Sequence, residues 1–189
     1  QVVLVEGTTG GEEYNPYGIT EQKGPSSKIA FQQAQVNKVE GEDLWEVLLV
    51  SNTKVTTVYG DAQPVATIYV HTDAATLSAG TYPIKEDGSV GSIQAGYRID
   101  EKTSFGGSLL VYAHSEYLSN GQIASTHIWR MLGGEMVVDA QGNISLNIKT
   151  CSGTTVNGTY TASGASLLPK LNKTTEWKQY IDLNKGINK

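Results

Sequence analysis

The chain has 189 residues with 14 Lys plus Arg against 19 Asp plus Glu, a formal net charge of −5, and only 17% charged residues. That length fits one domain, and the acidic balance excludes non-specific binding to a nucleic-acid backbone, which needs a basic face. No apolar run approaches the roughly 18 residues of a membrane-spanning helix.

Residues 1–27 read as an N-terminal arm or linker. Residues 2–5 (VVLV) are too short and lack the basic start of a signal peptide, and the stretch EGTTGGEEYNPYGITEQKGPSS has no apolar periodicity. Tyr14, Tyr17 and Ile19 give it the option of packing on a sheet rather than standing clear as a stalk.

From 28 to 164 the pattern is strands and turns. β-rich runs fall at 29–37, 44–50, 55–59, 65–72, 108–118, 122–132, 134–139, 144–150 and 156–161. Turn residues separate many of them: Glu86-Asp87-Gly88-Ser89, Asn120-Gly121, Asp139 to Asn143, and Ser152-Gly153. No long amphipathic pattern interrupts them. The expected fold is all-β, an antiparallel β-sandwich or a flattened, calycin-like barrel. Within it LWEVLLV (44–50) is apolar on both faces, which marks a central strand with Trp45 in the core. The lone cysteine, Cys151, sits in a strand-like run and reads as a small packed hydrophobe.

Two hairpins can be given a register. If Gly142 takes the left-handed position of a three-residue loop, Val138 faces Ile144, Met136 faces Leu146 and Gly134 faces Ile148. One face is then apolar and the other mostly polar. If Asn120-Gly121 forms a type I′ turn, His114 lies opposite His127, Tyr112 opposite Trp129, Glu116 opposite Ser125 and Leu118 opposite Ile123.

The tail, 165–189, holds five lysines against Glu176 and Asp182. A cap at Thr174 or Thr175 predicts a short helix through about Asn184, with Trp177, Tyr180 and Ile181 on one stripe.

Signatures of chemistry are sparse. There is no phosphate-binding glycine loop, no GxSxG elbow and no HExxH. The acidic pairs Glu12-Glu13, Glu40 with Glu42-Asp43, Glu86-Asp87 and Asp100-Glu101 read as solvated turn tips, not as opposed catalytic carboxylates. His71 reads as a half-exposed strand residue. One constellation stands out on the first hairpin: Tyr112, His114, Glu116, His127 and Trp129, placed by alternation on one face. Aromatic rings beside imidazoles suit a planar or sugar ligand by stacking. Two imidazoles with Glu116 also have the chemistry of a metal or haem site, although no cofactor or metal is assigned. The plain alternative is a polar–aromatic pair on a solvent-facing sheet, and a one-residue bulge would part the histidines.

At LSAGTYPIKEDG (77–88), GGSLLVYA (106–113) and LGGEMVVDAQGNISLNIKTCSGTTVNGTYTASG (132–164) the chain resembles the uncharacterised all-β surface lipoproteins of gut Bacteroidetes. The resemblance covers about residues 28–164 and rests on turn and strand motifs. It implies export to the cell envelope or outer-membrane surface, with a lipid anchor on a cysteine upstream of residue 1, and it supplies no catalytic residues. The expectation is therefore a non-enzymatic cell-envelope binding module for a carbohydrate or other small ligand. The alternatives are a calycin-like lipid or haem carrier, an adhesin or surface-assembly subunit working through edge strands or the arm, and, least favoured, a hydrolase. The sequence leaves the oligomeric state open.

Overall fold

Strands alternate side chains between two faces, so burial written along each strand shows what covers it. The computed structural model describes residues 24–57, 60–99, 104–113, 125–162, 171–173 and 181–182. Among these there is no helix.

Among the described residues fifteen strands run in chain order: β1 (Lys28–Phe31), β2 (Gln33–Val39), β3 (Leu44–Val50), β4 (Val55–Thr57), β5 (Gly60–His71), β6 (Gly80–Lys85), β7 (Ile93–Gln94), β8 (Tyr97–Arg98), β9 (Ser104–Gly106), β10 (Leu109–Ala113), β11 (Ser125–Val138), β12 (Ile144–Thr150), β13 (Thr155–Tyr160), β14 (Leu171–Lys173) and β15 (Ile181–Asp182). The expected strands 44–50 and 144–150 match β3 and β12 at both ends.

The expected strand 29–37 breaks at Gln32, because Lys28–Phe31 runs parallel to β13 while Gln33 onward pairs antiparallel with β3. The runs 122–132 and 134–139 are instead one long strand, β11. It carries a bulge: Met131 pairs with Thr150 and Gly133 with Lys149, which leaves Leu132 extra and 43% exposed.

β3 lies between β2 and β5, as its two apolar faces require. Beyond β3, the other side of β5 pairs first with β10 and then, at Val70, with β7. β11 likewise pairs with β12 on one side, and on the other with β10 and then β6. Parallel pairing of Ile84 with Ile93 joins β6 to β7. The path β5–β10–β11–β6–β7 thereby returns to β5, and the sheet forms a small barrel. Ser108 fills the junction where β5 changes partners: its hydroxyl accepts the Tyr69 N–H at 3.0 Å.

From this ring two wings extend. One is β3, β2 and β14; the other is β12, β13 and β1. The β11–β12 hairpin has the register its sequence predicts, with Val138 facing Ile144 and Gly134 facing Ile148, and Gly142 at φ 86°. The main core gathers Trp45, Val47, Leu49, Ile68, Val70, Leu110, Trp129, Met136, Ile144, Leu146 and Ile148. Cys151 is buried there, and its Sγ accepts the Arg130 N–H at 3.2 Å.

The opposite face of β3, β5 and β10 is covered as well. Phe105 of β9 packs on Val65, Leu109, Val111 and Ile128, and Tyr97 of β8 packs on Val39, Leu44 and Tyr69. β8 and β9 form a small separate sheet with β15. At the expected C-terminal helix the described residues Ile181–Asp182 pair as strand with Phe105 and Ser104. Residues 174–180 lie outside the described residues, as do 1–23 of the expected arm.

Candidate functional site

The candidate site lies where β10 meets β11. Tyr112 pairs with His127 and Leu110 with Trp129, and the register shifts between Tyr112 and Ala113, which pairs with Ser125. This corrects the expected register. Tyr112, not His114, stands opposite His127, and Trp129 faces Leu110. The irregularity leaves Thr126 extra in the ladder, but the offset from the register counted back from a turn at Asn120-Gly121 is already present at the Ala113–Ser125 pair. His114, Glu116 and that turn lie outside the described residues.

The structure nevertheless brings three of the five predicted residues together. The Tyr112 and Trp129 rings meet edge-on with centroids 4.8 Å apart. His127 stacks on Trp129 at 5.5 Å with an 8° interplanar angle, and its ring lies 6.0 Å from that of Tyr112. A directly opposed pair plus a diagonal neighbour on one face of an antiparallel ribbon produces this cluster. The face is not the solvent-facing one expected, however. Tyr112 is 6% and Trp129 4% exposed, both within the main core, while His127 is half-buried. The indole is thus a supporting wall, and the imidazole laid flat on it is what reaches toward the surface.

The Tyr112 hydroxyl is engaged from another part of the chain. It accepts the Ser26 N–H at 2.8 Å and lies 3.1 Å from the Ser26 hydroxyl. Among the described residues no group of three or more His, Cys, Asp and Glu side chains could hold a metal ion.

The sequence reading missed a second polar feature. Asn37, Glu46 and Tyr69 form one row across β2, β3 and β5. Asn37 Nδ2 donates to Glu46 Oε1 at 3.0 Å, and the Tyr69 hydroxyl donates to Glu46 Oε2 at 2.8 Å. Glu46 is 1% exposed and is flanked on its face by Leu44 and Leu48. A carboxylate in the middle of an apolar central strand was the available signal, since a buried acid must be hydrogen-bonded.

The other titratable groups singled out earlier behave as turn and strand residues. His71 Nε2 lies 2.9 Å from Gln94 Oε1. Glu40, Glu42, Asp43, Glu86 and Asp87 are exposed. Asp87 is held below the usual carboxylate range mainly by the Ser89 N–H, and Asp139 mainly by the Asn143 side-chain amide.

No family model, curated protein or solved structure matches the chain.

Proposed function

We propose that this chain is a non-catalytic ligand-binding module of the cell envelope, taking a carbohydrate or other small ligand against His127 at the β10–β11 ribbon. One observation carries the reading: an imidazole stacked parallel on a buried indole, with a second ring edge-on. A ring held flat by a rigid neighbour is pre-organised, so a ligand loses little in ordering it. The envelope location, and a lipid anchor upstream of residue 1, belong to the same proposal and draw their support from the sequence resemblance alone.

As to finer architecture, closure of the β5–β10–β11–β6–β7 ring supports a flattened, calycin-like barrel over an open sandwich. The interior is filled by Trp45, Ile68, Met136 and their neighbours, which favours a ligand at the end of the ribbon over a lipid or haem inside. The edge strand β1 is four residues long and bears Lys28, a poor template for strand addition by an assembly partner.

The test is a glycan array and saturation-transfer NMR with the wild type and His127→Ala. The expected result is binding that His127→Ala abolishes while the thermal midpoint moves by only a few degrees. Binding that survives His127→Ala refutes the site, and the absence of any small-molecule or glycan hit refutes the reading.

A further inference from the structure

We propose that Gly24–Ser27 is a clasp that holds shut the end of the interior where Tyr112, His127 and Trp129 meet, and that its release admits a hydroxyl-bearing ligand to those rings. The clasp itself stands on contacts in the structure; the second half rests on the ligand-binding reading above.

Three contacts make the clasp. At Gly24 the main chain lies against the β12–β13 turn so closely that a Cβ would come within 2.1 Å of Thr154 Oγ1 and 3.0 Å of Ser152 Oγ, so no larger residue fits without displacing the wall. That wall is prebuilt: Thr150 Oγ1 lies 2.9 Å from Ser152 Oγ, which donates to Thr154 Oγ1 at 3.3 Å. Pro25, next in the chain, is buried. The Ser26 N–H then donates to Tyr112 Oη at 2.8 Å, and the Ser26 hydroxyl lies 3.1 Å from the same oxygen. Finally, the Ser27 carbonyl accepts the Asn157 N–H at 2.8 Å and leads the chain into β1.

The clasp therefore ties two parts of the sheet together. Tyr112 belongs to β10 in the ring, whereas Thr154 and Asn157 belong to the β12–β13 wing. Its hold is local, three hydrogen bonds and a buried proline, against the long paired ladders of β11 with β12. Segments held by few contacts open below the global unfolding free energy. Opening would uncover the Tyr112 hydroxyl, whose side chain is only 6% exposed while the clasp is closed. Water or a ligand then replaces what Ser26 gives, so a ligand that competes there supplies one donor and one hydroxyl. The edge of a sugar or other polyol supplies both, and its face can lie on the stacked His127.

The experiment is amide hydrogen exchange by NMR on the full chain, with a soluble gadolinium chelate as surface probe, comparing wild type, Tyr112→Phe and Gly24→Ala. Both variants should speed exchange of the Asn157 amide about tenfold, as loss of the part-buried Ser26–Tyr112 hydrogen bond or a steric clash at Gly24 implies. Probe broadening of the His127 and Trp129 ring signals should increase as well, with exchange across Met136–Leu146 unchanged. Unchanged exchange at Asn157 in both variants, or acceleration spread evenly over the domain, overturns the clasp. Once the glycan screen yields a binder, an association rate that neither variant alters overturns the gating while leaving the binding reading intact. A clasp that opens as expected in a protein that binds nothing has the opposite meaning: the clasp stands and the binding reading fails.

Discussion

Replacing Trp129 with alanine separates a wall from a platform. The indole is 4% exposed, stands opposite Leu110, and contacts two rings. Truncating a buried tryptophan costs ~3–5 kcal/mol in lost burial and residual cavity. Aromatic partners at these separations add ~0.5–1.5 kcal/mol beyond burial. Taking about 4 kcal/mol for the whole, a domain of this size loses roughly 2–4 °C per kcal/mol, so the thermal midpoint should fall by about 8–16 °C. His127→Ala removes a half-buried ring whose main support is that indole, and should cost about 1 kcal/mol or less. Urea unfolding followed by circular dichroism gives both numbers, with the slope showing whether the native state stays compact. If Trp129→Ala destabilised no more than His127→Ala, the indole would be a surface stacking platform after all. The inward assignment of this face would then be wrong.

Three further outcomes follow from the geometry. Tyr69→Phe removes the hydroxyl that donates to buried Glu46 and should cost ~1–3 kcal/mol in urea unfolding, because the carboxyl group loses a partner without gaining access to water. Gly134→Ala should destabilise by at least ~2 kcal/mol, since φ is +97° and the new Cβ would meet Asn147 O at 1.9 Å; Gly133→Ala, whose Cβ meets nothing nearer than Lys149 at 3.9 Å, should cost under ~1 kcal/mol, and equal melts for the two would refute the argument. The folded-state pKa of Asp139 is depressed, first by the Asn143 side-chain amide, so its contribution to stability is present above the unfolded value and lost as pH falls through the folded one. Thermal midpoints taken from about pH 5 down to about pH 2 should therefore fall less steeply for Asp139→Ala than for wild type.

The parts of this fold that were legible in the sequence are those where one local rule acts on an unbroken ladder. The β11–β12 hairpin is the clearest case. A glycine that must take positive φ closes a three-residue loop, and strict alternation from Ile144 to Thr150 then fixes which side chain faces which. β3 was legible for another reason: a seven-residue run with apolar side chains on both faces, interrupted only by Glu46, fits a strand paired and covered on both sides. The short strands β7, β8 and β9 gave no such signal, because two or three residues cannot display a period, and their pairing is set by partners far away in the chain. The two residues of β15 likewise cannot display a period, and they pair with β9, far away in the chain.

The candidate site was misjudged in one specific way, and the reason is general. Alternation sorts LLVYA into two sets but does not say which set meets water, and all five residues prove buried. Tyr112, read alone, is an aromatic with a polar tip on a ribbon, equally suited to a surface or to a core with a hydrogen-bond partner. What decides between them is the covering of the other face by Tyr97 and Phe105, which come from segments with the weakest sequence signal, and the arrival of Ser26 at the tyrosine hydroxyl from 86 positions away. Both faces of β10 are thereby closed, and the same closure places the Asn37–Glu46–Tyr69 row inside. Chemistry aimed at a ligand must then act where the covering stops. On the β10–β11 ribbon that is the half-buried His127, whose neighbour Tyr112 takes the Ser26 N–H on its hydroxyl from a stretch of main chain that passes close to Thr154 at Gly24.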